Sequence, residues 1–142
     1  MESSVYTRKA QYYETDQMGV VHHSNYIRWF EEARVDFLER IGAGYKEMEA
    51  AGIISPVVSV SCKYRAMVRF ADTVRISLRI TAYNGIKLEL AYQVRNAETD
   101  ALCCTGESSH CFLGPEGKPV SLKKDYPQYH ALFMNYLQEE EQ

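Results

Sequence analysis

The sequence predicts an α+β fold in which one long helix lies against a curved antiparallel sheet. Two patterns lead there. Tyr26, Trp29, Phe30, Ala33, Phe37 and Ile41 recur at helical spacing and give one helix a wide apolar face. Later the period falls to two: Val74, Ile76, Leu78 and Ile80 alternate with Arg75, Ser77, Arg79 and Thr81, and Leu88, Leu90, Tyr92 and Val94 repeat the pattern. Such alternation marks strands with one buried face. A helix and a sheet with one apolar face each are buried most economically against each other, and a helix followed by a run of strands argues against a doubly wound parallel sheet.

The elements follow in chain order. Val5 to about Tyr13, rich in aromatic and β-branched residues, reads as a first strand. The loop Glu14–Ser24 carries Gly19 and leads into a helix over Asn25–Ile41, with Ser24 or Asn25 as its cap and Gly42 as its stop. Arg28, Glu31, Glu32, Arg34, Asp36, Glu39 and Arg40 fill most of its polar side. Gly44–Ala51 reads as a short second helix closed by Gly52, and Ile54–Tyr64 as a strand. Asn84-Gly85 between the two alternating runs is a hairpin signal. Glu98-Thr99-Asp100 suits another turn, and Ala101–Leu113 a last long strand that Gly114-Pro115-Glu116-Gly117 breaks. Tyr126 to Gln138 reads as a tail helix, with Glu139-Glu140-Glu141-Gln142 fraying beyond it.

Residues 1–142 fit a single domain, since no repeat, low-complexity linker or charge block divides them. At 46% hydrophobic and 25% charged the chain can bury a core and stay soluble, and a net charge of -3 gives no footprint for nucleic acid. Met1-Glu2-Ser3-Ser4 lacks the basic start and apolar run of a signal peptide, and no apolar run approaches membrane-spanning length. Cys62, Cys103, Cys104 and Cys111 form no Cys-x-x-Cys pair, so free thiols in a reducing cytoplasm are expected.

The chemistry concentrates in Tyr13–Tyr26. Asp16 stands a few residues before the long helix, whose free N-terminal N–H groups favour negative charge. Acyl transfer needs such a pair, a group that attacks a carbonyl and donors that hold the oxyanion. Asp is also a common turn residue. The apolar neighbours Met18-Gly19-Val20-Val21 suggest a partly buried site, which would sharpen the carboxylate as a base or nucleophile. His22 and His23 have no third ligand nearby, so no metal is expected; either could orient a carboxylate or bind substrate. Asn25 reads as a cap that could also position Asp16, and Tyr26 as core. The basic residues Lys63, Arg65, Arg69, Arg75 and Arg79 suit a solvated face or a ligand's phosphates. A Gly-x-Ser-x-Gly elbow, a P-loop, a Gly-x-Gly-x-x-Gly turn and a His-Glu-x-x-His pair are all missing from the sequence.

Tyr13-x-Thr15-Asp16-x-Met18-Gly19-Val20-Val21-His22-His23-Ser24-Asn25-Tyr26, with Trp29-Phe30-Glu31-x-Ala33-Arg34 after it, resembles the hotdog-fold acyl-CoA thioesterases of the 4-hydroxybenzoyl-CoA thioesterase and YbgC-like group. Lys63-Tyr64-Arg65-Ala66-x-Val68-x-Phe70-x-Asp72-Thr73-Val74 is similar to that group's second recurrent segment. The resemblance implies a hotdog fold, hydrolysis of an acyl-CoA thioester, and homodimers or homotetramers joined sheet edge to sheet edge with the sites at the interface. It makes Asp16 the nucleophile or general base, the His23 backbone N–H the oxyanion donor, and Gly19 the glycine that lets substrate approach the backbone. It puts His22, Asn25 and Tyr26 near the substrate and makes Arg65 and Arg69 candidates for the CoA phosphates. No metal or organic cofactor is implied, coenzyme A being part of the substrate. His22 stands where many members have tyrosine, and Met18 where many have a smaller residue. Two other functions use the same fold: a dehydratase, with His23 paired to Glu31 or Glu32, and a non-catalytic acyl-CoA-binding or scaffold protein.

Overall fold

The long amphipathic stretch forms helix α1, Ser24–Ile41, and the alternating stretches form strands that wrap it. The structure is a computed structural model describing residues 4–141. Strands β1 (Ser4–Lys9), β2 (Val57–Tyr64), β3 (Thr73–Tyr83), β4 (Lys87–Asn96) and β5 (Leu102–Cys111) make one antiparallel sheet in the order β1-β3-β4-β5-β2. Helices α2 (Tyr45–Ala50), α3 (Leu122–Asp125) and α4 (Pro127–Glu141) complete the chain. One helix against one antiparallel sheet is the α+β hotdog layout expected.

The core lies between α1 and the concave face of the sheet. Trp29, Phe30, Ala33 and Phe37 of α1 meet Val74, Ile76, Leu78 and Ile80 of β3 and Leu88, Leu90, Tyr92 and Val94 of β4, all buried. Asn84 makes the predicted hairpin, its Oδ1 accepting the N–H groups of Ile86 and Lys87 at 3.0 and 2.8 Å, with Gly85 at φ +90°. Phe133 of α4 packs between Tyr83 and Phe112 and closes one end of the core. The cysteines are free.

Several boundaries differ from expectation for identifiable reasons. β1 stops at Lys9 instead of reaching Tyr13, and Tyr12–Glu14 coil into a 3₁₀ turn because the Glu14 side chain turns back to accept the Gln11 N–H at 2.8 Å. β2 starts at Val57 instead of Ile54, since Pro56 has no N–H for a ladder. Ile54 instead exchanges a pair of hydrogen bonds with Leu113, which lies past the end of β5 at Cys111. Proline opens α4 at residue 127, where a missing N–H costs nothing, one residue later than expected. The α4 backbone runs to Glu141, past the expected end at Gln138; Gln142, the last of the residues 139–142 expected to fray, and positions 1–3 lie outside the described residues. Arg34, expected on the polar side of α1, is buried and donates to the hydroxyls of Tyr45 and Tyr92 at 2.8 and 3.1 Å.

The two sheet edges differ: β1 packs against α1, whereas β2 is exposed along most of its length, with Val57, Val58 and Val60 uncovered and Cys62 and Tyr64 reaching the core.

Candidate active site

A small antiparallel loop carries Asp16 between β1 and α1. Thr15 pairs with Val21, and the Asp16 N–H donates to Val20 O at 2.9 Å. The tip closes where the Gly19 N–H reaches Asp16 O at 3.0 Å, and Gly19 sits at φ +76°, a conformation that favours glycine. A Cβ there would meet nothing within 4 Å, so the backbone angle is what calls for glycine. Asp16 Oδ1 accepts the Met18 N–H at 2.8 Å, which fixes the carboxylate's direction. The loop is stitched to the segment after β2: Val21 N–H donates to Val68 O at 2.7 Å, and Val20 bridges Arg69. Within a single chain Asp16 is exposed and Met18 is 69% exposed, so the apolar loop does not bury the carboxylate as expected.

The start of α1 departs from the expected cap. Neither Ser24 nor Asn25 caps it; the last residue before the helix is His23, and the side chain that serves the helix start is His22. Its Nδ1 accepts the Ser24 N–H at 3.2 Å and lies 2.9 Å from Ser24 Oγ. His22 N–H donates to Glu14 O at 2.8 Å, Asn25 N–H to His22 O at 3.0 Å, and Tyr26 N–H to His23 O at 3.3 Å. Among the described residues only the His23 N–H of this run has no protein acceptor. One main-chain donor is thereby left at the positive end of an 18-residue helix, seven positions from Asp16.

Asn25 and Tyr26 point inward. The Asn25 amide donates to Glu14 O at 2.9 Å and to His22 O at 3.4 Å, which ties the loop to the helix. Tyr26 is buried against Trp29 and Tyr64, with ring centroids 5.1 and 5.2 Å away. The rings of His22 and His23 lie 4.1 Å apart on the surface. Tyr64, which sequence reasoning left as a family-motif residue, donates its hydroxyl to His23 O at 3.1 Å. Burial and the nearby Cys62 thiol push this phenol up to about 12, so it remains a donor at neutral pH. Arg69 is brought to the loop by its bridge to Val20, and Arg65 follows Tyr64; both side chains are exposed and, among the described residues, engaged by no ion pair.

Sequence reasoning missed Glu14. Its carboxylate is 2% exposed and accepts from Arg8 Nη1 at 2.5 Å, Gln11 N–H at 2.8 Å and Trp29 Nε1 at 2.9 Å. Burial pushes its pKa up, but the three donors and the charge of Arg8 outweigh that and hold it below the ordinary carboxylate range. Arg8 also reaches Glu32 at 2.7 Å and sits 5.3 Å from the Trp29 ring centre. Among the described residues no three His, Cys, Asp or Glu side chains gather where a metal could bind.

YneP of Bacillus subtilis (strain 168), which carries the provisional name acyl-CoA thioesterase, is 33% identical over 88% of this chain and 91% of its own. YbgC of Escherichia coli O157:H7, named acyl-CoA thioester hydrolase, is 29% identical over 66% of this chain and 70% of its own. The solved structure of the DHNA-CoA thioesterase from Staphylococcus aureus superposes with a TM-score of 0.91 at 31% identity, over 100% of this chain and 97% of that one. The sequence pattern of the Thioesterase-like superfamily matches residues 11–128, a span that includes the Asp16 loop, α1 and all of the sheet except β1, and the chain belongs to that family.

Proposed function

We propose that this protein hydrolyses acyl-CoA thioesters to the free acid and CoA thiol, with Asp16 as nucleophile or general base and the His23 N–H as oxyanion donor. The observation that carries the proposal is the lone unsatisfied N–H at the start of α1, on the same loop as an exposed carboxylate, in a chain of a thioesterase family. If Asp16 is the nucleophile, its Oδ bonds to the acyl carbon and the carbonyl electrons move onto oxygen, facing the His23 N–H. The C–S bond then breaks, CoA leaves as thiolate and takes a proton from water, and water hydrolyses the mixed anhydride. If Asp16 is the base, it takes a proton from water as the hydroxide adds to the acyl carbon; the C–S bond then breaks, and the CoA thiolate takes that proton back from Asp16. An oxyanion donor of this kind lowers the barrier by about 3 kcal/mol. Neither route calls for a metal or organic cofactor.

Arg69, exposed beside the loop, and Arg65, exposed just past β2, would meet the CoA phosphates; neither guanidinium is held in an ion pair among the described residues. A second copy of the chain completes the site. Val57, Val58 and Val60 on the open β2 edge, with Ile27 of α1, form an uncovered apolar strip that a second β2 would cover as a homodimer, the unit from which a homotetramer would also be built. Free cysteines support a reducing, cytoplasmic setting. The dehydratase alternative gains nothing from Glu32, whose carboxylate is occupied by Arg8 and the Tyr6 hydroxyl.

Free-thiol release from aromatic, short and long acyl-CoAs, measured for wild type beside Asp16→Asn, tests the proposal. Turnover of at least one class, lost about a hundredfold or more in the variant, is the expected result. Binding without turnover would favour the acyl-CoA-binding alternative, and full activity in the variant would remove Asp16 from the mechanism. In H₂¹⁸O, label entering Asp16 identifies the anhydride route.

A further inference from the structure

Glu14 is buried, charged and unused by the chemistry above. We propose that it is the positioning residue of the site: the clamp that sets where Asp16 stands relative to the His23 N–H. This inference rests on the assignment of those two groups.

A buried carboxylate is costly unless it is fully hydrogen-bonded and paired. Glu14 meets that condition with donors from three parts of the chain: Arg8 in β1, Gln11 in the turn, and Trp29 in α1. Trp29 is fully buried and Arg8 is itself held by Glu32, so the anchors are fixed before the loop begins. The backbone of the same residue does a second job, for Glu14 O accepts both the His22 N–H at 2.8 Å and the Asn25 amide at 2.9 Å. Side chain and carbonyl together pin the loop to the helix at its neck, two residues before Asp16 and one before His23.

The clamp also determines which N–H stays free. By taking the His22 N–H it holds the His22 ring where Nδ1 accepts from Ser24, and His22 O then serves Asn25. Every N–H from His22 to Tyr26 is consumed except that of His23. A shift of the neck would hand that donor to a protein acceptor or turn it away from Asp16. A near-attack arrangement tolerates little such movement, so displacement of about 1 Å can cost on the order of a hundredfold in rate.

Glu14→Gln tests this. The amide NH₂ must face either Arg8 or the Trp29 N–H, donor against donor, and the negative charge is gone. The expected result is a fall in kcat of about tenfold or more with KM changed less than about threefold, partly restored in Glu14→Asp. Amide exchange provides a readout independent of turnover: His22 N–H, protected in wild type by Glu14 O, exchanges faster in Glu14→Gln while the middle of α1 keeps its protection. If the variant does not fold, Trp29→Phe, which removes one donor and keeps a ring, is read by the same criteria. Asp16→Asn is measured in parallel. If Asp16→Asn is dead while folded Glu14→Gln keeps kcat within about twofold and His22 stays protected, Glu14 only supports the fold and the clamp is overturned. If wild type is inert across the panel or Asp16→Asn is fully active, the assignment of the site falls and the inference falls with it.

Discussion

Phe30 lies nearly flat on Tyr92, ring centroids 4.4 Å apart and planes 12° from parallel, and its edge fills the space that a side chain at residue 106 would need. A Cβ on Gly106 would overlap the Phe30 ring and stand 2.9 Å from the Ser61 carbonyl. The seat of Phe30 on the sheet therefore depends on the absence of one methyl group. Gly106→Ala is expected to destabilise by about 1–3 kcal/mol, because neither the stacked ring nor the β2 backbone can give way cheaply. A lower urea midpoint at unchanged m-value checks this.

Arg34, Tyr92, Ser108 and His110 form a buried polar chain, linked by contacts of 3.1, 2.6 and 2.8 Å. Burial, and then the charge of Arg34, push His110 down to about 4 from 6.5. The unfolded chain thus takes up this proton at a higher pH than the folded one. Stability from His110 is complete above about pH 6.5, falls as the pH drops toward 4, and levels off below that, a change on the order of 3 kcal/mol. Urea unfolding between pH 7 and pH 4 should show a wild-type decline that is less steep in His110→Gln by about that amount.

Arg65→Ala with Arg69→Ala is expected to raise KM for acyl-CoA about fivefold or more and to leave kcat within about twofold, an effect screened by salt. An acyl thioester of N-acetylcysteamine, which lacks the nucleotide, should be hydrolysed equally by wild type and the double variant. Equal loss on both substrates would place these arginines elsewhere in the mechanism.

Val58→Lys puts a charge on the open β2 edge at a side chain that is 65% exposed in the single chain. The lone chain's stability should change by less than about 0.5 kcal/mol, while association through this edge is lost. Light scattering should give a multiple of 16.3 kDa for wild type and that mass alone for the variant. A variant that still associates would move the interface off β2.

The helix and the strands of this fold can be read from local repetition: Trp29, Phe30, Ala33 and Phe37 follow one period, Val74 to Ile80 another, and Asn84-Gly85 the turn between. Asp16 and the start of α1 lie in one short stretch of sequence, so the loop and the helix start after it could be singled out together. Of the parts that escaped, one depends on residues far apart in sequence and the others on side chains that turn back onto nearby backbone. Glu14 looks like a surface carboxylate until Trp29, 15 positions on, is known to donate to it. Tyr12 and Tyr13 read as strand because nothing local shows the Glu14 side chain turning the backbone. Ser24 and Asn25 have the composition of a cap, yet the ring of His22 does that work and frees Asn25 to brace the loop.

The unsatisfied donor at residue 23 belongs to the main chain. Alanine scanning would pass over it, since every residue but proline carries the same N–H. The outward-facing ring at that position is correspondingly free to drift. Divergence could change the exposed side chain at residue 23 to any residue but proline and leave that N–H in place.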